Sequence, residues 1–334
     1  FEPLMRPLFN VPGVGSFAWI MGMASGYPSG AKISTRLREE KQLSQIEAER
    51  LVSFTNNASP LFIFGAIAVG FFHDAALGLL IAVSHYLANA LVGICMRFYG
   101  PSSRSKHNGQ HEKVTIRRAF REMHQTRLKN HRPLGQLMGD AVLNSVKTLV
   151  MIGGFIVLFS VLTSIIQLIG LTTYLASFIG MILELLSMPA ELGLPFLSGI
   201  FEITIGANLI SDVAINDTLA KVMIVSFILG FNGLSVQAQV ASIIANTDIR
   251  FKPYFYARLL HGLFGSMLSF FLFVPLYLKR KISQPSNLPV SQADSPNFLT
   301  LSLEHLQQVG PIVTLIAIGI TIIILYERYR REPS

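Results

Sequence analysis

Four stretches hold polar side chains of the kind that meet a ligand by hydrogen bonding or charge. MGMASGYPSG, from Met21 to Gly30, offers Ser25, Gly26, Tyr27 and Ser29. TNNASP, from Thr55 to Pro60, offers Asn56, Asn57 and Ser59. SGIFEITIG, from Ser198 to Gly206, offers Glu202 and Thr204, and GFNGLS, from Gly230, offers Asn232 and Ser235 with Gln237 close behind. No stretch contains paired aspartates, a His-Glu-x-x-His run, or a Ser and His dyad at matching depth, so nothing supplies a nucleophile with its base and no enzyme is expected. Their chemistry is that of binding.

All four lie within or against apolar sequence. The chain has 334 residues, 51% of them hydrophobic and 14% charged, with a mean hydropathy of +0.50. About 25% charge is usual for a soluble domain. Apolar runs at Phe62 to Phe72, Ala75 to Met96, Ala141 to Leu171, Ala220 to Ile244, Leu259 to Leu278 and Ile312 to Tyr326 predict membrane helices, a spanning helix needing about 20 residues. The alternating strands of about 10 residues that make a barrel do not occur. The expected fold class is an all-α integral membrane protein, an inverted repeat with two re-entrant helical hairpins and two broken transmembrane helices.

The first hairpin is predicted to descend from Val11 to Met23, turn at Ala24 to Ser29 and return from Gly30 to Arg38. The second descends from Leu192 to Gly199, turns at Ile200 to Thr204 and returns from Ile205 to Asp212. Arms of about 10 residues reach only half way through a bilayer at about 1.5 Å per residue. After each hairpin comes a long helix with a break, the first starting near Gln45 and broken at TNNASP, the second starting near Thr218 and broken at GFNGLS. Proline, paired asparagines and glycines make poor helix interiors. Unwound backbone in hydrocarbon survives only where protein or a polar cavity satisfies it, and matched breaks and hairpins in two halves point to a binding site at the midplane.

The halves also repeat in detail. GAKI at Gly30 returns as GANLI at Gly206, an offset of 176, and Ser53 and Phe54 return as Ser226 and Phe227, an offset of 173. At 173, Ser44 falls on Asp217, both favoured helix N-caps, and Ser59 falls on Asn232. Glu47 stands at the capping-box distance from Ser44. A loop-length difference of three residues is expected to explain the two offsets.

Glu202 is an ionisable group at membrane depth, which is costly and functional by default; the alternative is that it caps the tip of a shallow hairpin. His85, inside IAVSHYLANA, reads as a packing histidine or a proton-relay group. Glu184 and Asp140 lie near the ends of apolar runs, where solvation is expected. The return arm of each hairpin starts a helix in mid-membrane, where free N–H groups and the positive dipole end suit an anion. Glu202 adds negative charge there unless a cation, a proton or hydrogen bonds offset it. A coupling Na⁺ or H⁺ is one answer; no resident cofactor or metal is expected, and the lone Cys95 excludes an internal disulfide and a thiolate metal site.

Between Arg97 and Arg132 stand ten of the 27 basic residues and only Glu112 and Glu122 among acids. Such a loop between spans belongs on the cytoplasmic side and attracts anionic lipid head groups; lacking interleaved aromatics, it is not expected to bind nucleic acid. Lys32, Arg36, Arg38 and Lys41 place the mouth of the first hairpin on the same side. For an inverted repeat, Thr172 to Ser187 must lie at the interface, which places Lys279 to Lys281 outside and the YERYRR tail inside. Phe1 and the absence of a signal peptide suggest a chain that begins inside a longer protein. The organisation expected is a first repeat at 1–98, a basic loop at 99–140, a spanning plus an interfacial helix at 141–187, a second repeat at 188–278, and a loop with a C-terminal span at 279–334.

MGMASGYPSGAK, EAERLVSFTNNASPLFIFGA, CMRFYG and FNGLSVQAQVASI resemble the YlbJ family of sporulation integral membrane proteins, and the resemblance covers essentially the whole chain. That family is grouped with the nucleoside recognition, or Gate, membrane proteins and is more remotely similar to concentrative nucleoside transporters. The resemblance implies a carrier in a spore-forming bacterium that moves dipicolinic acid, a small dianion, from the mother cell across the outer forespore membrane. From the nucleoside-transporter pattern, the acid of the second hairpin matches Glu202, and an Asn and Ser three apart match Asn232 and Ser235. The Gln-Thr-Glu arrangement of that pattern's first hairpin is replaced here by SGYPSG, which removes a partner for ribose hydroxyls and favours an anion. Expected partners are thus a small anionic substrate and membrane lipids, with a homo-oligomer left open. The alternatives are a carrier of nucleosides or other metabolites, and a non-transporting Gate protein that organises a sporulation complex through its basic loop.

Overall fold

The computed structural model describes residues 2–101 and 133–280, with isolated positions at 121, 125 and 316. Most of the basic loop and of the expected C-terminal span lies outside the described residues. The described elements belong to one compact unit that ends at Arg280, and all of them are helical.

A short helix that the sequence reading did not expect, α1 (Glu2–Phe9), buries Met5 and Phe9. The first hairpin follows as α2 (Gly15–Ser25) and α3 (Ser29–Glu39), starting four residues later than expected. Gly26 closes α2 at φ +79, a conformation that suits glycine because it has no Cβ. Next comes α4 (Gln45–Thr55), whose start is fixed by the expected capping box: Ser44 N–H donates to Glu47 Oε2 at 2.9 Å, and Glu47 N–H donates to Ser44 Oγ at 3.3 Å. The helix stops at Thr55, and residues 56–59 are extended or irregular. Ser59 Oγ then accepts the Phe62 N–H at 3.2 Å, opening the π-helical α5 (Phe62–Phe71). The long helix α6 (Ala75–Met96) closes the half, with Asp74 Oδ1 accepting the Ala76 N–H at 3.0 Å.

Two helices link the halves. α7 (Leu134–Leu168) begins seven residues before the predicted span and buries none of its residues, and α8 (Leu171–Leu185) has 15 residues, about 22 Å and so short of a bilayer core on its own. The second half then runs through α9 (Gly193–Phe201), α10 (Ile203–Asp212), α11 (Thr218–Phe231), α12 (Gly233–Ile244) and α13 (Phe251–Phe273), the last extended by a π-helical turn to Leu278. The order of hairpin, capped helix, break, helix and long helix thus occurs twice.

Two features of the second half are tighter than predicted. Its hairpin turns on Glu202 alone instead of on Ile200 to Thr204, because Gly206 packs so close to Gly199 that a Cβ would stand 2.1 Å from the Gly199 Cα. Its helix break is Asn232 alone instead of Gly230 to Ser235. Asn232 has φ +75 and Gly233 φ +55, and asparagine is among the few residues that tolerate this left-handed region.

The register also differs from expectation. Caps are 173 apart, Ser44 to Asp217, but the breaks are 176 apart, Asn56 to Asn232. The extra three residues lie inside α11, which has 14 residues against 11 in α4. Ser59 therefore corresponds to Ser235 and not to Asn232.

Among the described residues, four helices are long and apolar enough to cross a membrane: α6, α7, the α11–α12 pair over Thr218–Ile244, and α13 with its extension to Leu278. Cys95 is exposed on the apolar α6. The buried core mixes the halves; Phe9 stacks on Phe54 at 4.7 Å, in a cluster that also takes Val240 and Tyr254.

Candidate functional site

Ending a helix inside a membrane leaves its last carbonyls without intrahelical partners, and each must find one. At the end of α4 almost every such group is met by a side chain from elsewhere in the chain. Ser53 O accepts from Arg258 Nη2, and Asn56 O accepts from Arg258 Nη1 at 2.9 Å and from Asn232 Nδ2 at 3.3 Å. Phe54 O accepts from Asn57 Nδ2 at 3.1 Å and from Asn89 Nδ2 at 2.5 Å. Ala58 O accepts from the Tyr86 hydroxyl at 3.0 Å, while the Ala58 N–H donates to His85 Nε2 at 3.2 Å. The Thr55 carbonyl packs against the first hairpin, where a Cβ on Gly22 or on Gly30 would stand 1.8 Å from its oxygen.

The two breaks meet. Asn56 Nδ2 and Asn232 Nδ2 both donate to the Tyr254 hydroxyl, at 3.1 and 3.0 Å. The Asn57 amide oxygen accepts from Asn89 at 2.6 Å, and Asn89 Oδ1 accepts from Trp19 Nε1 at 3.1 Å. His261 donates from Nε2 to the His85 carbonyl at 2.9 Å, and the two imidazole rings lie 4.6 Å apart. The tip of the first hairpin closes over this junction: Gly26 packs on Ser59, and the Tyr27 hydroxyl donates to Leu229 O at 2.8 Å. The tip of the second hairpin lies against the second break, with Ile203 beside Gly233.

Of the residues picked out from sequence, Gly26, Tyr27, Asn56, Asn57, Ser59 and Asn232 are brought to the junction. Gln237 is buried at the second break, where its Nε2 donates to Phe231 O at 3.0 Å, and Ser235 is buried with its hydroxyl unpaired. Ser25 is exposed and Ser29 half-buried, and neither joins the network. Glu202 takes the capping role: its Oε2 accepts from the Thr204 hydroxyl and from the Ile205 N–H at 2.8 Å, at the start of α10. His85 is more than packing, since it holds a backbone amide of the break.

Sequence reading missed Arg258, Tyr254, His261 and Asn89. Arg258 is fully buried about two turns into α13. Its described partners are backbone carbonyls; among the described residues no carboxylate pairs with it, and its Nε is unpaired. Burying an unpaired charge costs several kcal/mol, so a guanidinium kept in this position at the break marks the site more strongly than Glu202 does. The signal in the sequence is a lone arginine directly before the apolar run that starts at Leu259.

The junction presents unpaired buried polar atoms on both sides of the breaks. Arg258 Nε, His85 Nδ1, His261 Nδ1, Asn56 Oδ1 and Asn232 Oδ1 are all buried without a hydrogen-bond partner, more than a native interior normally leaves unsatisfied. With one fixed positive charge among them, the arrangement suits a small polar ligand with negative charge.

Residues 149–247 match the family model described as Gate, nucleoside recognition. That stretch includes the second hairpin and the second break. The chain is 49% identical to the sporulation integral membrane protein YlbJ of Bacillus subtilis (strain 168), over 98% of this chain and 81% of the relative. No solved structure matches. An all-α membrane protein with a Gate region, it belongs to the YlbJ family of sporulation integral membrane proteins.

Proposed function

We propose that the chain carries a small organic anion across a membrane, and that in sporulation this anion is dipicolinate, moved from the mother cell across the outer forespore membrane. The single observation that supports the reading is Arg258: a buried guanidinium, at the meeting point of both helix breaks, with no carboxylate beside it among the described residues. Carbonyl dipoles orient that charge without cancelling it. An entering carboxylate cancels it and gains the unpaired Nε–H as a charge-assisted donor. Substrate would be lined by Asn56, Asn57, Ser59, Asn232, Tyr27 and Gly26, with Tyr254 and Arg258 added to that set.

The description of the Gate model favours a second reading, a nucleoside as cargo. Against it, the cap at the start of α10 engages the Glu202 carboxylate, and the first hairpin has no acid to bind ribose hydroxyls. Purified protein in liposomes tests both. Dipicolinate uptake that is lost in Arg258→Gln, with protein amount and thermal stability preserved, supports the anion reading. Undiminished dipicolinate uptake in that variant refutes the role of Arg258, and uptake of nucleosides in place of dipicolinate refutes the substrate class.

A further inference from the structure

The hydrogen bonds around the two histidines determine where their protons sit. His85 Nε2 accepts the Ala58 N–H at 3.2 Å, so the proton of a neutral His85 is on Nδ1. His261 Nε2 faces the His85 carbonyl at 2.9 Å, and a carbonyl only accepts, so the proton of a neutral His261 is on Nε2 and its Nδ1 is a bare lone pair. Both Nδ1 atoms are buried without a partner. Of the four ring nitrogens, only His261 Nδ1 is free to take another proton without breaking a bond to the backbone.

The surroundings decide when that proton can be held. Arg258 stands one turn before His261 on α13, and its charge acts on both rings. The other titratable groups near them are Tyr254 on α13, Tyr86 on α6 and Tyr27 on the hairpin tip. α4 brings Glu47, Glu49 and Arg50, which are engaged by Arg6, by Arg250 and by the Tyr99 carbonyl respectively. α11 brings only Lys221, held by the Ser211 and Val213 carbonyls, and Asp74 at the start of α6 is engaged by Tyr277. With the site empty, an imidazolium here would be a second positive charge beside Arg258 in a low-dielectric interior.

We propose that a dianion binds at this junction together with one proton, which adds to Nδ1 of His261, so that two negative charges meet two positive ones, the Arg258 guanidinium and the His261 imidazolium. This rests on the anion-carrier reading. The proton comes from water on the side where the anion enters and leaves with it on the other; an N–H bond forms at the expense of a hydronium O–H bond, and nothing else changes covalently. The new Nδ1–H, the Nδ1–H of His85 and the Nε–H of Arg258 are then three donors for the carboxylates. Because linkage is reciprocal, the anion raises proton affinity by the factor by which the proton raises anion affinity. A monoanion needs no such proton, since Arg258 alone balances it.

The test is calorimetric titration of the purified full chain at pH 7 in buffers of different ionisation enthalpy, which counts protons taken up on binding. The probes are dipicolinate, a dianion, and picolinate, its monoanionic relative. About one proton per dipicolinate and close to none per picolinate is expected from the charge balance. In His261→Gln, whose side-chain N–H keeps a donor for the His85 carbonyl, dipicolinate is expected to bind without proton uptake and at least 10-fold more weakly, by about 1.4 kcal/mol per decade. Dipicolinate binding to the wild-type chain without proton uptake overturns this inference and leaves the carrier reading standing. Uptake that persists in His261→Gln overturns the assignment to His261, and no binding of either anion overturns both readings. The comparison of the two anions needs no variant, so a misfolded His261→Gln protein does not spare the proposal.

Discussion

Gly30 and Gly22 hold the Thr55 carbonyl between two helices of the first hairpin, and the consequence can be worked out for Gly30→Ala. The added Cβ would stand 1.8 Å from the carbonyl oxygen, whereas a comfortable carbon to oxygen contact is about 3.3 Å, so one side must move by about 1.5 Å. Nothing flexible lies in the way to absorb it. The oxygen is backbone, and Thr55 Oγ1 is itself tied to Ser34 Oγ at 3.1 Å. Because only backbone can give way, the cost falls in the upper part of the overpacking range, about 2–3 kcal/mol, offset by about 1 kcal/mol because alanine is the better helix former. A net loss of about 1–2 kcal/mol, at about 2–4 °C per kcal/mol, lowers the unfolding midpoint by about 2–8 °C. Gly153→Ala on α7 is the control, since a Cβ there meets nothing within 4 Å; it keeps the propensity gain without the clash, and its midpoint should hold or rise. Thermal unfolding of the purified variants in detergent, followed by circular dichroism, measures both. Equal midpoints for the two variants would refute the close packing of hairpin and break.

Two other perturbations separate structural from functional roles. Glu202→Ala should cost about 1 kcal/mol through loss of the α10 cap, while Glu202→Gln keeps an acceptor for the Ile205 N–H and should keep dipicolinate uptake; loss of uptake in the Gln variant, with stability retained, would return the carboxylate to a ligand role. Outside the spans, two hydrogen bonds from Arg38, at 2.9 and 2.7 Å, hold the Asp248 carboxyl below its ordinary value, against the opposing effect of burial and with the help of the Arg38 charge. A depressed carboxyl contributes stability above its unfolded value of about 3.9 and loses it as pH falls through the folded value. The pair is partly exposed, at 27% and 47%, so the contribution is at most about 1 kcal/mol. The midpoint difference between wild type and Arg38→Gln should therefore be present at pH 6 and shrink below about pH 4; a difference that stays constant across that range would show that Asp248 is not the linked group.

Much of the architecture was legible because local rules wrote it. Ser44 with Glu47 and Asp217 marked where α4 and α11 begin, and TNNASP marked where α4 ends, since each signal acts within a few residues of itself. The junction was legible only in part. Asn56, Asn57 and Asn232 announced themselves as polar residues in apolar helices, but the partners of Arg258 are carbonyls more than 200 residues earlier in the chain, and no periodicity connects them. The 173 register also hid a pattern. It holds from the caps through Ser53 and Phe54, whereas a 176 register aligns Asn56 with Asn232, Ser59 with Ser235, and His85 with His261. Glu202 is ambiguous for a different reason: in mid-membrane, a carboxylate that binds cargo and one that completes a helix end look alike in sequence.

The residues paired by the 176 register also touch each other, Asn232 reaching the Asn56 carbonyl and His261 reaching the His85 carbonyl. Like meets like in this way where two equivalent units face each other across a two-fold axis, as identical subunits do in a dimer. In a dimer of identical halves every side chain at such a contact is present twice, and an arginine there would place two guanidiniums in the same dry space. Within one chain the halves are free to diverge. Arg258 stands where the first half has Ala82, and Glu202 where it has Gly26. Joining two halves in one polypeptide therefore lets equivalent positions carry different charge, which two identical subunits cannot do.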